Sequence, residues 1–331
     1  MLARVTAWLD RAAFQPTSLP DDLVTGIALA PCVIAGLIIF KFPALEMLAV
    51  AVGIGGAVQI AVAWLWRRRG TASPASPLMA ALVGVALIGV GAGLPMSFGI
   101  AAIAVAAEIL RARFLPGIRA QTGLLTYAAV SLITRGAPAA YINPADGKRF
   151  GDPIDTWYRF FSPGSAPVDA IRLYVGNVPG PVFATSLLAV VVGVAWLAYA
   201  RRVSLVVLVT FLIGALVAPF LLHWDYLFQL DSGPTWFLAG LVLSDRRLLP
   251  DSWAVRPVLG FVAGVLSIAL RRAGHGIAAT FLVIAAVQGL IALIGIAVLA
   301  TNIGLERLRR ARRLRQRAEN LKVVKSLPHG G

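Results

Sequence analysis

Long apolar runs alternate with short polar breaks along most of this chain. A helix needs about 20 mostly apolar residues to cross a bilayer. The pattern predicts ten membrane segments, at 23–40, 43–66, 77–95, 97–113, 120–134, 180–200, 203–222, 232–245, 256–271 and 277–302. The expected fold is therefore an all-α polytopic membrane protein. Two segments stand apart. The third opens as "ASPLMAALVGVAL" and the eighth as "DSGPTWFLAGLVLS". Each has a small polar residue and then a proline, which suits a helix start because its missing N–H would have no partner there. The eighth holds about 12 apolar residues, too few to span.

A long connection, 135–179, separates five predicted segments from five more. An odd number per half makes the halves opposite in orientation, the inverted-repeat plan. Short helices at matched places in the two halves point to a midplane site. The domains expected are an N-terminal segment 1–22, a first half 23–134, the loop 135–179, a second half 180–302 and a basic tail 303–331. The loop carries Trp157, Tyr158, Phe160, Phe161 and Tyr174, which argue for order. The stretch 160–186 is restrained by Pro163, Pro167, Pro179 and Pro181, so ordering it costs little entropy. Small residues in "GIGGAV" at 53–58 and the Gly260/Gly264 pair predict close helix packing.

Composition agrees with this reading. Of 331 residues, 59% are hydrophobic and only 14% charged, against about 25% charged in soluble domains. The net charge of +15 does not mark a nucleic-acid binder, because its placement follows the positive-inside rule. With a cytoplasmic N-terminus, 22 of the 30 basic residues fall inside and 8 outside. Both termini are expected in the cytoplasm of a cell inner or plasma membrane.

Chemistry-bearing residues are sparse. Cys32 is alone, so no internal disulfide is available, and it reads as a small buried residue. His223, His275 and His329 lie too far apart in sequence to suggest a metal motif, and no metal is expected. Glu46 and Glu108 fall within predicted spans, where charges are functional candidates or reach to an interface. His223 and Asp225 are expected in an outer loop. The tail "LERLRRARRLRQRAENLKVVK" reads as a topology anchor, or as a contact for anionic lipid or a partner.

These residues together resemble the RnfD/NqrB family, the large membrane subunits of Rnf and sodium-pumping NADH:quinone oxidoreductase complexes. "LYVGNVPGPVFATSLLAVVVGVAWLAYARR" is similar to the family's glycine-rich stretch ahead of its sixth helix. "LDSGPTWFLAGLVLSD" resembles its late serine–glycine segment, and "GFVAGVLSIALRRAGHG" its G-x-x-x-G helix ending in Ile-Arg and a glycine turn. The resemblance implies ten helices in two inverted halves, flavin-dependent electron transport and other membrane subunits as partners. It also implies FMN attached through phosphate to a threonine. The matching place, "SPGSAPVDA", puts Ala166 at that threonine, with Ser165 adjacent, and alanine has no hydroxyl to esterify. The family's turn after the fourth helix is replaced by "LPGIRAQTGLLTY". A divergent member is expected, holding FMN or riboflavin non-covalently rather than covalently, and at most a subunit of an oxidoreductase. No catalytic residue is assigned. The cofactor-binding candidates are Ser165, Gly176, Asn177, Gly180, Ser232, Gly233 and Thr235. Two alternatives stand beside this: an inverted-repeat transporter or channel, and a non-catalytic scaffold subunit that lost its flavin.

Overall fold

The structure is a computed structural model that describes residues 19–68, 75–154, 170–223, 229–230, 233–250 and 252–325. It divides into a unit of Met1–Gly289 and a unit of Leu290–Gly331. In chain order the helices are α1 Asp21–Arg67, α2 Pro77–Ala86, α3 Gly93–Phe114, α4 Thr122–Ile133, α5 Ala170–Val175, α6 Leu187–Tyr199 and α7 Leu205–Leu222. They continue with α8 Gly233–Trp236, α9 Val255–Leu270 and α10 Ala278–Lys325. One small hairpin, β1 Tyr141–Ile142 and β2 Arg149–Phe150, pairs Tyr141 with Phe150.

The predicted first two segments are one helical run broken at Lys41, whose φ of 54° is not helical. Pro43 follows, in the first turn of the second half, where its missing N–H is tolerated. Among the described residues, three helical stretches, Asp21–Arg67, Val90–Phe114 and Ala278–Asn302, are long and apolar enough to cross a membrane. Their outward faces, and those of the shorter apolar helices, are greasy. Ile133 is 81% exposed, Phe220 78% and Ile60 73%. Such surface would cost dearly in water and suits hydrocarbon.

The predicted third segment, 77–95, is not one helix. Helix α2 stops at Ala86, the chain turns through Leu87 to Ala92, and α3 starts at Gly93 with φ +75°. The eighth is likewise short: α8 runs into seven residues of π-helix, Phe237–Leu243. Pro77 and Pro234 sit in the first turns of these two helices, as their sequences predict.

Ending a helix inside packed protein leaves carbonyl and N–H groups that need partners. Residues flanking α6 supply them at both breaks. Before α6, Pro181 bridges Gly89 and Val182 N–H donates to Ile88 O at 2.8 Å. After α6, Val203 bridges Asp245 and Ser204 N–H donates to Ser244 O at 2.8 Å.

Glycines set the closest helix approaches. A Cβ on Gly264 would lie 2.1 Å from Phe211 O, and one on Gly214 2.2 Å from Phe261 O, so α7 and α9 touch backbone to backbone. A Cβ on Gly123 would lie 2.2 Å from Ala80 O, which seats α4 against α2. Within "GIGGAV", Gly55 is the one pressed against a neighbour, since a Cβ there would lie 2.9 Å from Leu78 Cα, while Gly53 faces open space. In the second unit, α10 continues without a break to Lys325, beyond the predicted end at 302.

Candidate functional site

Of the predicted site residues, Gly176 and Gly180 lie in the turn before α6, and Gly233 packs against that turn at Thr185. Helix α5 ends when the N–H groups of Gly176 and Asn177 both donate to Arg172 O at 2.9 Å. Gly176 then adopts φ +91°, a left-handed conformation that favours glycine. A Cβ there would lie 2.6 Å from Ser186 N. A Cβ on Gly180 would lie 2.6 Å from the Thr185 methyl carbon, and one on Gly233 2.0 Å from Thr185 O. Thr185 and Ser186 are buried, and the Ser186 hydroxyl accepts Ala189 N–H to start α6. Gly176, Gly180 and the distant Gly233 thus close around Thr185, while Asn177 stays exposed. Ser165, Ala166 and Ser232 lie outside the described residues.

Thr235, two residues into α8, meets a group that pattern reading places differently. Arg271 counts as one of eight outer basic residues by sequence, yet it is only 1% exposed. Its guanidinium donates to the Thr235 hydroxyl, to Gln229 O at 3.0 Å, to Gln229 Oε1 at 2.7 Å and to Thr280 Oγ1 at 3.5 Å. Arg271 opens a short π-helical stretch, Arg271–His275, at the end of α9. The Gln229 amide nitrogen, fully buried, has no hydrogen-bond partner, and neither has the Ser267 hydroxyl one turn before Arg271. Sequence reading singled out Thr235 but not Gln229 or Thr280, and it placed Arg271 among the outer basic residues.

Nearby, Asp152 ties the hairpin segment to the turn between α9 and α10. Its carboxylate accepts Ile277 N–H at 2.7 Å and Ile154 N–H at 2.9 Å, and a Cβ on Gly276 would collide with it at 2.3 Å. The Tyr127 and Tyr141 hydroxyls are buried without hydrogen-bond partners. Burial, reinforced by Tyr127 and Asp152, pushes the Tyr141 phenol well above its usual range, so it stays neutral.

A second polar site opens on the face carrying Asp21. A cavity of about 440 Å³ is walled by Asp21, Asp22, Glu108, Arg111, Asp245 and Arg247, with Met79 of α2 and Leu241 of the α8 extension also lining it. Glu108 is 4% exposed. Its carboxylate takes a bidentate pair from Arg111 at 2.7 and 2.9 Å, the Ser76 N–H at 3.0 Å and the Thr122 hydroxyl at 3.1 Å. So this charge is buried and paired. It joins the starts of α2 and α4, where a helix N-terminus favours an anion. Glu46 is half-buried instead. Arg247 pairs with Asp245 at 2.6 Å and Asp21 at 3.4 Å. Burial opposes its charge, but the two carboxylates prevail and its pKa is raised.

Glu108 and Arg271 each hold the starts of two helices. Glu108, near the end of α3, holds the starts of α2 and α4; Arg271, at the end of α9, holds the starts of α8 and α10. Among the described residues, no group of His, Cys, Asp or Glu could hold a metal ion.

Both short broken helices, the ring of glycines before α6 and the apolar exterior are features of a membrane protein built around its own interrupted helices. Among curated proteins, none matches the sequence. A family model described as the NQR2, RnfD, RnfE family matches residues 22–294, and the chain belongs to that family.

Proposed function

We propose that this chain is an integral membrane subunit of an Rnf/Nqr-like electron-transport system that binds FMN or riboflavin without a covalent link. Family membership supports the system. The observation that carries the flavin reading is the donor set around Thr235: the Arg271 guanidinium, the partnerless Gln229 amide nitrogen and the Thr235 and Thr280 hydroxyls. Such donors suit a phosphate or the carbonyl edge of an isoalloxazine. Gly176, Gly180 and Gly233 would shape the wall around Thr185, with Asn177 at the exposed rim, and Ser165 and Ser232 would complete the site from the flanking segments. The bound flavin would take up and pass on electrons. The residues here would bind and orient it and limit water.

The ten-span inverted repeat belongs to the same proposal. The matching roles of Glu108 and Arg271 support it, as do the two short helices, each ended by residues beside α6. Both termini are then cytoplasmic, and the hairpin face lies outside.

The test is the flavin content of purified protein, native and denatured, after incubation with FMN or riboflavin. Flavin that co-purifies and is released on denaturation is the expected result. A fluorescent band on a denaturing gel would show a covalent link. That band lost in Ser165→Ala would place the ester one residue from Ala166; lost in Thr156→Ala, earlier in the loop. A colourless preparation under all conditions would sink the flavin reading and leave the scaffold.

One observation favours a transporter as the second reading: the 440 Å³ cavity is lined by both short-helix segments. Beyond Met79 and Leu241, however, Val83, Val85, Ala86, Phe237, Leu238 and Ala239 are all buried. A solute path would need these to part. Solute-dependent labelling of a cysteine placed at Leu241 separates the two readings.

A further inference from the structure

The basic end of α10 is absorbed by neither reading. Helix α10 continues unbroken from its apolar span, Ala278–Asn302, through Lys325. Seven arginines fall between 307 and 317, and Lys322 and Lys325 follow, against Glu306 and Glu319 alone. Leu305, Leu308, Ala311, Leu314, Ala318 and Leu321 recur among them at spacings of three and four. A basic helix with an apolar repeat is the pattern that lies along a lipid surface, each cation near an anionic leaflet adding attraction. Nine basic residues against two acidic ones would also disfavour pairing with a second copy of the same helix.

Upright, this helix would gain little from the membrane. Arg317 is 15 residues beyond Asn302, which is about 22 Å along a helix axis. The surface potential is screened over about 8 Å at physiological salt. Lying down requires a bend just past the span. Gly304, two residues after Asn302, is the weakest helix former there and the natural pivot.

We infer that residues 305–325 form an amphipathic arm that pivots at Gly304 and lies on an anionic cytoplasmic leaflet, its arginines engaging lipid phosphates. The inference rests on the cytoplasmic placement of the C-terminus proposed above. Membrane-impermeant maleimide tests that placement separately: intact cells should leave a cysteine at Leu314 unlabelled, and permeabilised cells should label it. Labelling in intact cells overturns the orientation.

For the arm itself, full-length Cys32→Ala, Leu314→Cys protein carries an environment-sensitive fluorophore in nanodiscs. One set is pure phosphatidylcholine; the other is equal parts phosphatidylcholine and phosphatidylglycerol. Acrylamide quenching should fall several-fold in the anionic discs only, and return to the neutral-disc level in high salt. The same loss of protection is expected when Arg309, Arg310, Arg312 and Arg313 are all changed to Gln. Equal quenching in both lipids overturns the proposal. So does protection in neutral discs, or protection appearing only when a cytosolic extract is added, which would mean a protein partner. Gly304→Ala should reduce protection; unchanged protection overturns the assignment of the pivot.

Discussion

Arg271 and Glu108 show how much a single buried charge can organise. Each is nearly or fully buried, and each ties together the starts of two helices. Breaking a buried pair leaves the other charge unpaired, at a cost of about 3–5 kcal/mol. Glu108→Gln should therefore lower the thermal stability of detergent-solubilised protein sharply through the stranded Arg111, read by intrinsic tryptophan fluorescence. A melting temperature equal to that of the parent would contradict the role assigned to the pair. Arg271→Lys keeps the charge but loses the planar fork that reaches Gln229, Thr235 and Thr280 together. A loss of about 2 kcal/mol is expected, the scale of hydrogen bonds to a charged group. Retained flavin should fall as well. Full flavin retention in the lysine variant would exclude the guanidinium from the cofactor site.

Among the elements, helix α8 is tightly constrained at its start. Its first residue, Gly233, faces the Thr185 carbonyl with no space for a Cβ. Gly233→Ala must move backbone on one side or the other, and a clear drop in melting temperature is expected. Pro234→Leu tests the same helix start differently: it should alter how the chain enters α8 more than its hydrophobicity. An unchanged fold and melting temperature would count against that start. The α7–α9 contact gives a paired test. Gly264→Val places side-chain atoms where Phe211 O lies and should cost at least about 1–3 kcal/mol through overpacking. Gly99→Ala, on α3 with nothing within 4 Å of the added carbon, should be neutral or stabilise by about 0.5–1 kcal/mol. If both variants behave alike in a size-exclusion and melting assay, backbone contact does not set the α7–α9 distance.

At the scale of the whole molecule, hydrophobic pattern alone determined that the chain is helical, apolar on the outside and membrane-embedded, because 20-residue apolar runs have few other stable destinations. It also marked the two short proline-started helices, since a run too short to span is visible as a length. Local turn chemistry and resemblance singled out the glycines at 176, 180 and 233, which meet around one residue. What they surround was not legible: Thr185 reads as an unremarked residue at a helix start. Nor could a linear pattern show that Arg271 is buried, because an arginine ending an apolar run looks like an interfacial anchor until its partners are known. Gln229, Thr235 and Thr280 are 42, 36 and 9 residues away from it in sequence. The same holds for Glu108, whose partners Ser76 and Thr122 lie 32 and 14 residues away. The breaks after α2 and after the α8 extension were likewise decided by tertiary packing, which supplies backbone partners from beside α6 that make a broken helix tolerable inside the protein. Periodicity records which residues avoid water; which polar groups meet within the core depends on contacts between distant segments.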